Sequence, residues 1–148
     1  MTPAATTDIT AVQELAERYG EAWNSQDLDA IVSMHDEDGT FQLHVPGGEV
    51  VSGREGIRAA FAGFLTQLPD IHFEPVRLRV GMDFWSLEST ISGTVAAPIE
   101  VEGEAVEADG AQVAVDAVDI ISVRDGLVQS KDTYLDALSF ERQLGVRS

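Results

Sequence analysis

In the stretch VAVDAVDIISV, Val113 to Val123, the residue type that could do chemistry is the aspartate at position 119. Strand side chains alternate between faces with a period of two. One face then carries Val113, Val115, Ala117, Asp119, Ile121 and Val123, and the other carries Ala114, Asp116, Val118, Ile120, Ser122 and Arg124. The first face is apolar at every position except Asp119. A carboxylate on a core-facing stripe must be paired, held neutral or turned towards a cavity. Burial there favours the neutral acid; a cavity-facing carboxylate can instead take a proton. A buried neutral acid is the expectation for Asp119.

Other side chains qualify by type and place. Tyr19 lies on the apolar stripe of the first helix, where its hydroxyl can reach a polar partner. His44 suits proton transfer near neutral pH, but alternation sets it opposite Phe41 and Leu43, so only a bulge near Pro46 would turn it inward. His35, ending the second helix, reads as a partner of the helix dipole, and His72 as an exposed residue. Lys131 alternates with Thr133 and points inward, where it can pair with an acid; a Schiff-base role would need a strongly lowered pKa. The expected cavity wall is Trp23, Phe61, Phe64, Trp85, Leu87, Ser89, Ile121, Lys131 and Thr133. No HExxH or comparable spacing joins the three histidines, so neither a metal nor another cofactor is expected.

These residues need elements to hold them. From Asp8 to Asn24, the positions Val12, Leu15, Ala16, Tyr19 and Trp23 form the stripe of an amphipathic helix. NSQDLDAIVSMH restarts a shorter helix with Ser25 or Asp27 as N-cap. DGTFQLHVPGG reads as a strand closed by a Pro-Gly turn. SGREGIRAAFAGFLTQLP reads as a third helix, with Ser52 and Glu55 as a capping box and Pro69 as the stop. IHFEPVRLRV, FWSLESTISGTV, AQVAVDAVDIISV and LVQSKDTYLDAL then read as four strands, the last two joined by the tight turn at Arg124–Gly126. Helices first and antiparallel strands after predict an α+β domain with helices on one face of a curved sheet and a ligand cavity beneath them.

The 148 residues are expected to form one domain, with its ordered core over about residues 8–145. The net charge of −17 repels phosphate, which argues against nucleic acid and anionic membranes as partners. The acids from Glu100 to Asp109 read as the solvated tip of a hairpin. No apolar run is long enough to cross a membrane. Met1 to Thr7 lacks the basic and apolar regions of a signal peptide, and the chain has no cysteine; a cytoplasmic location is the expectation.

The segments ERYGEAWNSQDLDAIVSMHDEDGTF, GGEVVSGREGIRAAF and VDIISVRDGLVQSKDTYLD…QLG, in that order, resemble the NTF2-like superfamily. Within it the chain is most similar to the SnoaL-like polyketide cyclase and ketosteroid isomerase group, over about Val12 to Gly145. The resemblance implies a cone-shaped, cystatin-like fold, with a mostly antiparallel sheet and three N-terminal helices on its concave face. It matches Tyr19 and Asp119 to the tyrosine and the protonated aspartate of an oxyanion hole. It matches His35 and Phe61 to the tyrosines that buttress that hole. The isomerase's general base falls at Leu43 or His44. The Arg-x-Asp pair of the related epoxide hydrolases is absent, since SLESTIS and Thr133 stand there. Two functions are left open by this reading. One is a cofactor-free isomerase, cyclase or dehydratase acting on a small hydrophobic carbonyl compound through Asp119 and Tyr19. The other is a non-catalytic ligand-binding or scaffold protein. A homodimer through the outer sheet face is expected in either case.

Overall fold

The structure is a computed structural model and describes residues 8–146. The reading of Met1 to Thr7 as lacking a leader lies outside the described residues. Helix α1 (Ile9–Asn24) starts at Asp8, whose carboxylate accepts from the Ala11 N–H and satisfies an amide of the first turn. Its buried residues are Val12, Leu15, Ala16, Tyr19, Ala22 and Trp23, the expected stripe. Asp27, not Ser25, caps the short α2 (Leu28–Ser33) by accepting from Ala30 N–H.

Strand β1 (His35–His44) and the two-residue β2 (Val51–Ser52) lead into α3 (Gly53–Gln67). Ser52 makes no side-chain capping bond, so the expected capping box does not form. Gly53 explains this: its φ of 83° turns the chain between Ser52 and the helix, a conformation glycine adopts without penalty.

Strands β3 (His72–Val80) and β4 (Phe84–Thr94) come next. The hairpin of β5 (Ile99–Val101) and β6 (Glu104–Val106) follows, then β7 (Gln112–Arg124) and β8 (Leu127–Leu135). The main sheet runs β2-β1-β8-β7-β4-β3. Its neighbours are antiparallel except β1 and β8, which are parallel. Of the acidic run from Glu100 to Asp109, Glu100, Glu102 and Glu104 lie in the small hairpin, while Glu107 and Asp109 follow it. A fourth helix, α4 (Ala137–Gln143), was not anticipated. Seven residues give almost no periodic signal, and α4 is held by a tertiary contact: the Gln143 amide bonds both the N–H and the carbonyl of Ala114.

Burial along β7 alternates as the sequence dictates. Val113, Val115, Ala117, Asp119, Ile121 and Val123 are buried, while Ala114, Asp116, Ile120 and Arg124 are exposed. The helices cover the buried face. Phe61 of α3 meets Trp23 edge-on at 4.9 Å and Phe41 at 5.0 Å, so α1, α3 and β1 close on one another through aromatic rings. Phe84, Ile120 and Tyr134 remain exposed on the other side of the sheet. No helix among the described residues is long and apolar enough to cross a membrane.

Candidate functional site

A cavity of about 310 Å³ opens between α3, the sheet, the β5–β6 hairpin and α4. Its walls are chiefly apolar, with Trp23, Phe41, Phe61, Phe64 and Phe73 among them. Exposed Glu100 and Glu102 of the hairpin stand at its rim. The polar groups contributed by the sheet are Lys131 and Thr133 of β8.

The pairing of β7 with β8 sets what lies behind them. Asp119 is opposite Thr133 and Ile121 is opposite Lys131, so Lys131 is the diagonal neighbour of Asp119 on the buried face. Thr133 Oγ1 donates to Asp119 Oδ1 at 2.5 Å, and Lys131 Nζ lies 3.3 Å from the same oxygen. Both members of the ion pair are buried, Lys131 at 4% exposure and Asp119 at 3%. The carboxylate that the strand pattern left alone on an apolar face is therefore paired, and the expectation of an isolated neutral acid gives way to a buried ion pair.

Lys131 also lies over two aromatic rings, 5.0 Å from the Tyr19 centroid and 5.4 Å from that of Trp23. Burial by itself works to strip the ammonium of its proton. The Asp119 carboxylate and the Tyr19 oxygen outweigh it and lift Lys131 above the ordinary lysine value. Such a lysine is a cation and a triple donor; it is not the free amine that a Schiff base requires.

Tyr19 turns its hydroxyl to His35 Nε2 at 2.8 Å. Burial raises the phenol pKa, against the pull of Lys131. His35 begins β1 and is fully buried, so it is not the helix-end residue expected. Burial, followed by the charges of Lys131 and Arg54, pushes its pKa down to about 3, and the imidazole is neutral at physiological pH. Tyr19 and His35 are thus a neutral pair packed behind the Lys131 ammonium.

Of the residues expected on the wall, Trp23, Phe61, Phe64, Lys131 and Thr133 line the cavity. Asp119 and Tyr19 lie a layer deeper. Trp85, Leu87, Ser89 and Ile121 share the inner face but do not reach the cavity. Over that end of the sheet α1 fills the space, with Tyr19 meeting Trp85 edge-on at 5.7 Å. His44 needs a correction. The irregularity in β1 falls between His35 and Thr40, not near Pro46, so His44 keeps its outward direction. Its Nε2 bonds Asp132 Oδ1 at 2.8 Å and its ring stacks on exposed Tyr134 at 4.1 Å, away from the cavity. His72 bonds Glu74 at the surface. Among the described residues no group of three histidine, aspartate or glutamate side chains is arranged to hold a metal. The sequence reading missed Glu141, which α4 buries against the cavity; only recognition of that helix would have found it.

No curated relative matches the sequence. Among solved structures, TsrD from Streptomyces laurentii is 29% identical, with 94% of this chain and 98% of that one covered and a TM-score of 0.75. A protein described as a SnoaL-like polyketide cyclase from Jannaschia sp. CCS1 is 18% identical over 100% of both chains, with a TM-score of 0.80. A protein of ketosteroid isomerase-like fold from Catenulispora acidiphila, in complex with trimethylamine, is 20% identical over 90% of this chain and 93% of that one, with a TM-score of 0.73. The family model of the SnoaL-like domain matches residues 16–130, and the chain belongs to that family, within the NTF2-like superfamily.

Proposed function

We propose that this protein is a cofactor-free small-molecule enzyme of the isomerase or cyclase type, acting on a hydrophobic carbonyl compound. The observation that carries this reading is the buried Lys131–Asp119 ion pair, joined by Thr133, whose lysine and threonine line a chiefly apolar cavity. A carbonyl oxygen set against Lys131 Nζ gains a cationic donor as it becomes an enolate or alkoxide. Thr133 Oγ1 takes the substrate proton while its own hydroxyl proton passes to Asp119. The negative charge thereby moves from Asp119 to the substrate oxygen, and Lys131 neutralises it in both places. No net charge is created in the low-dielectric interior, which is the main obstacle to such a step. Tyr19 and His35 position the lysine from behind.

Exchange of the α-protons of 2-tetralone in heavy water, followed by NMR, tests this. The protein is expected to accelerate exchange over buffer, with Lys131→Met and Thr133→Val each losing about a hundredfold of that acceleration. No acceleration by the wild type would overturn the catalytic reading. A second reading, a hydrophobic-ligand-binding or scaffold protein on the same fold, draws support from the depth of Asp119, which does not itself line the cavity.

The proposal includes a cytoplasmic setting and a homodimer through the outer sheet face. The face that carries Phe84, Ile120 and Tyr134 is more apolar than a wetted surface needs to be. Sedimentation is expected to give a dimer at about ten micromolar, and Ile120→Lys to give a monomer. A monomeric wild type at that concentration would count against the interface.

A further inference from the structure

Helix α4 carries Ala137, Phe140, Glu141 and Leu144 at the spacing of one helical face. Leu138, Arg142 and Gln143 are exposed, so that face is the one turned to the protein. Leu144 is buried in a small cluster with Val95, Ile99 and Val113, while Ala137, Phe140 and Glu141 line the cavity. A carboxylate that is 6% exposed therefore stands on an otherwise apolar helix face, at the wall of a chiefly apolar cavity. The proton transfer proposed above makes no use of it. Lys131 and Thr133 come from β8, and Leu135, which also lines the cavity, lies between them and α4 along the chain. The cavity thus has a cationic donor on its sheet wall and an acceptor on its helical wall.

We propose that Glu141 is a specificity-determining residue that accepts a hydrogen bond from a ligand hydroxyl, so that the substrate is a hydroxylated hydrophobic carbonyl compound. This assignment rests on the carbonyl reading above and narrows it. Glu141 interacts with other parts of the chain, yet a carboxylate offers about four acceptor sites and one partner does not fill them. Burial decides which carboxylate matters. At exposed Glu100 and Glu102 a ligand hydroxyl trades a bond to water for a bond to protein and gains little. At Glu141 water is largely excluded, and a bond to a charged acceptor is worth more. An ammonium group would also suit a carboxylate, but it would share the cavity with the Lys131 cation; a neutral hydroxyl does not meet that repulsion. The acids at the rim turn away anionic ligands. A ligand with hydrocarbon in place of the hydroxyl strips water from the carboxylate and gives no donor in return, which is how a polar site rejects an analogue that lacks its hydroxyl.

Calorimetric titration compares 2-tetralone with its 5-, 6- and 7-hydroxy derivatives, which scan the position of the hydroxyl, and with the matching methoxy compounds, which keep the oxygen but cannot donate. At least one hydroxy isomer is expected to bind wild type about tenfold tighter than 2-tetralone, and its methoxy counterpart is not. Glu141→Leu is expected to bind 2-tetralone at least as well as wild type and to lose the preference for the hydroxyl. Glu141→Gln keeps the shape and a neutral acceptor, and is expected to retain a smaller preference. If wild type prefers no hydroxy isomer, if the methoxy counterpart binds as tightly, or if the preference is undiminished in the Glu141 variants, the assignment of Glu141 is overturned. The carbonyl reading then still stands where 2-tetralone binds wild type and binds Asp119→Leu/Lys131→Met, which lacks both buried charges, more weakly. If 2-tetralone fails to bind wild type, or binds that double variant equally well, both are overturned.

Discussion

Asp119→Leu is expected to cost about 3–5 kcal/mol of folding stability, because it strands the Lys131 ammonium in the interior. Lys131→Met is expected to cost a similar amount by stranding the carboxylate. Each charge was tolerable only through the other, at 3.3 Å, and through the Thr133 hydroxyl. The double variant Asp119→Leu/Lys131→Met removes both charges and is expected to return to within about 1 kcal/mol of wild type, since apolar replacements of buried ion pairs are often neutral or better. Urea unfolding of the four proteins gives the coupling energy directly. Additive losses would mean that the two side chains do not depend on each other, and the charge-transfer step proposed above would lose its basis. The double variant also separates fold from chemistry. It is expected to keep an apolar cavity and bind hydrophobic ligands, but to exchange no α-protons.

What the sequence made legible, and what it hid, follow from the range of the interactions concerned. That Asp119 is buried follows from a local period of two and holds along all of β7. Which group answers its charge does not, because Lys131 sits on another strand and meets Asp119 only through the register of the β7–β8 hairpin. That register is set by the turn at Asp125 and Gly126, with φ of 53° and 76°, and by a bulge between Ser122 and Val123. Alternation within β8 gave the inward direction of Lys131 and Thr133 without their partner. The same local rule set His44 outward, and the structure contains no bulge that overrides it. The extent of the cavity was not legible. Trp85, Leu87, Ser89 and Ile121 share the face of Asp119, but whether space remains above them depends on where α1 lies, and only packing decides that. The far wall belongs partly to α4, too short to announce itself.

Acidification from about pH 6.5 to about pH 3 is expected to withdraw stability through a single histidine. His35 is fully buried, and burial together with the Lys131 and Arg54 charges lowers its pKa from 6.5 to about 3. Below about pH 6.5 the unfolded chain takes up a proton at this position, while the folded chain refuses it until about pH 3. Throughout that window the unfolded state binds more protons, so stability falls as pH falls, and the loss levels off below about pH 3. At about 1.4 kcal/mol per pKa unit, the effect is on the order of 5 kcal/mol across the window. Carboxylates titrate over the same range, so the informative quantity is the difference between wild type and His35→Gln. The amide cannot titrate but can still bond the Tyr19 hydroxyl. Urea unfolding at several pH values is expected to show a stability slope shallower by about one proton in the variant between pH 4 and 6. Equal slopes would mean that His35 accepts its proton in the folded state. Two cations would then face each other across Tyr19, and the charge balance around Lys131 on which the proposed oxyanion depends would change. A neutral His35 supplies Tyr19 with a hydrogen-bond partner and adds no charge. That arrangement leaves Asp119, and in turn the ligand oxygen, as the counterion of Lys131.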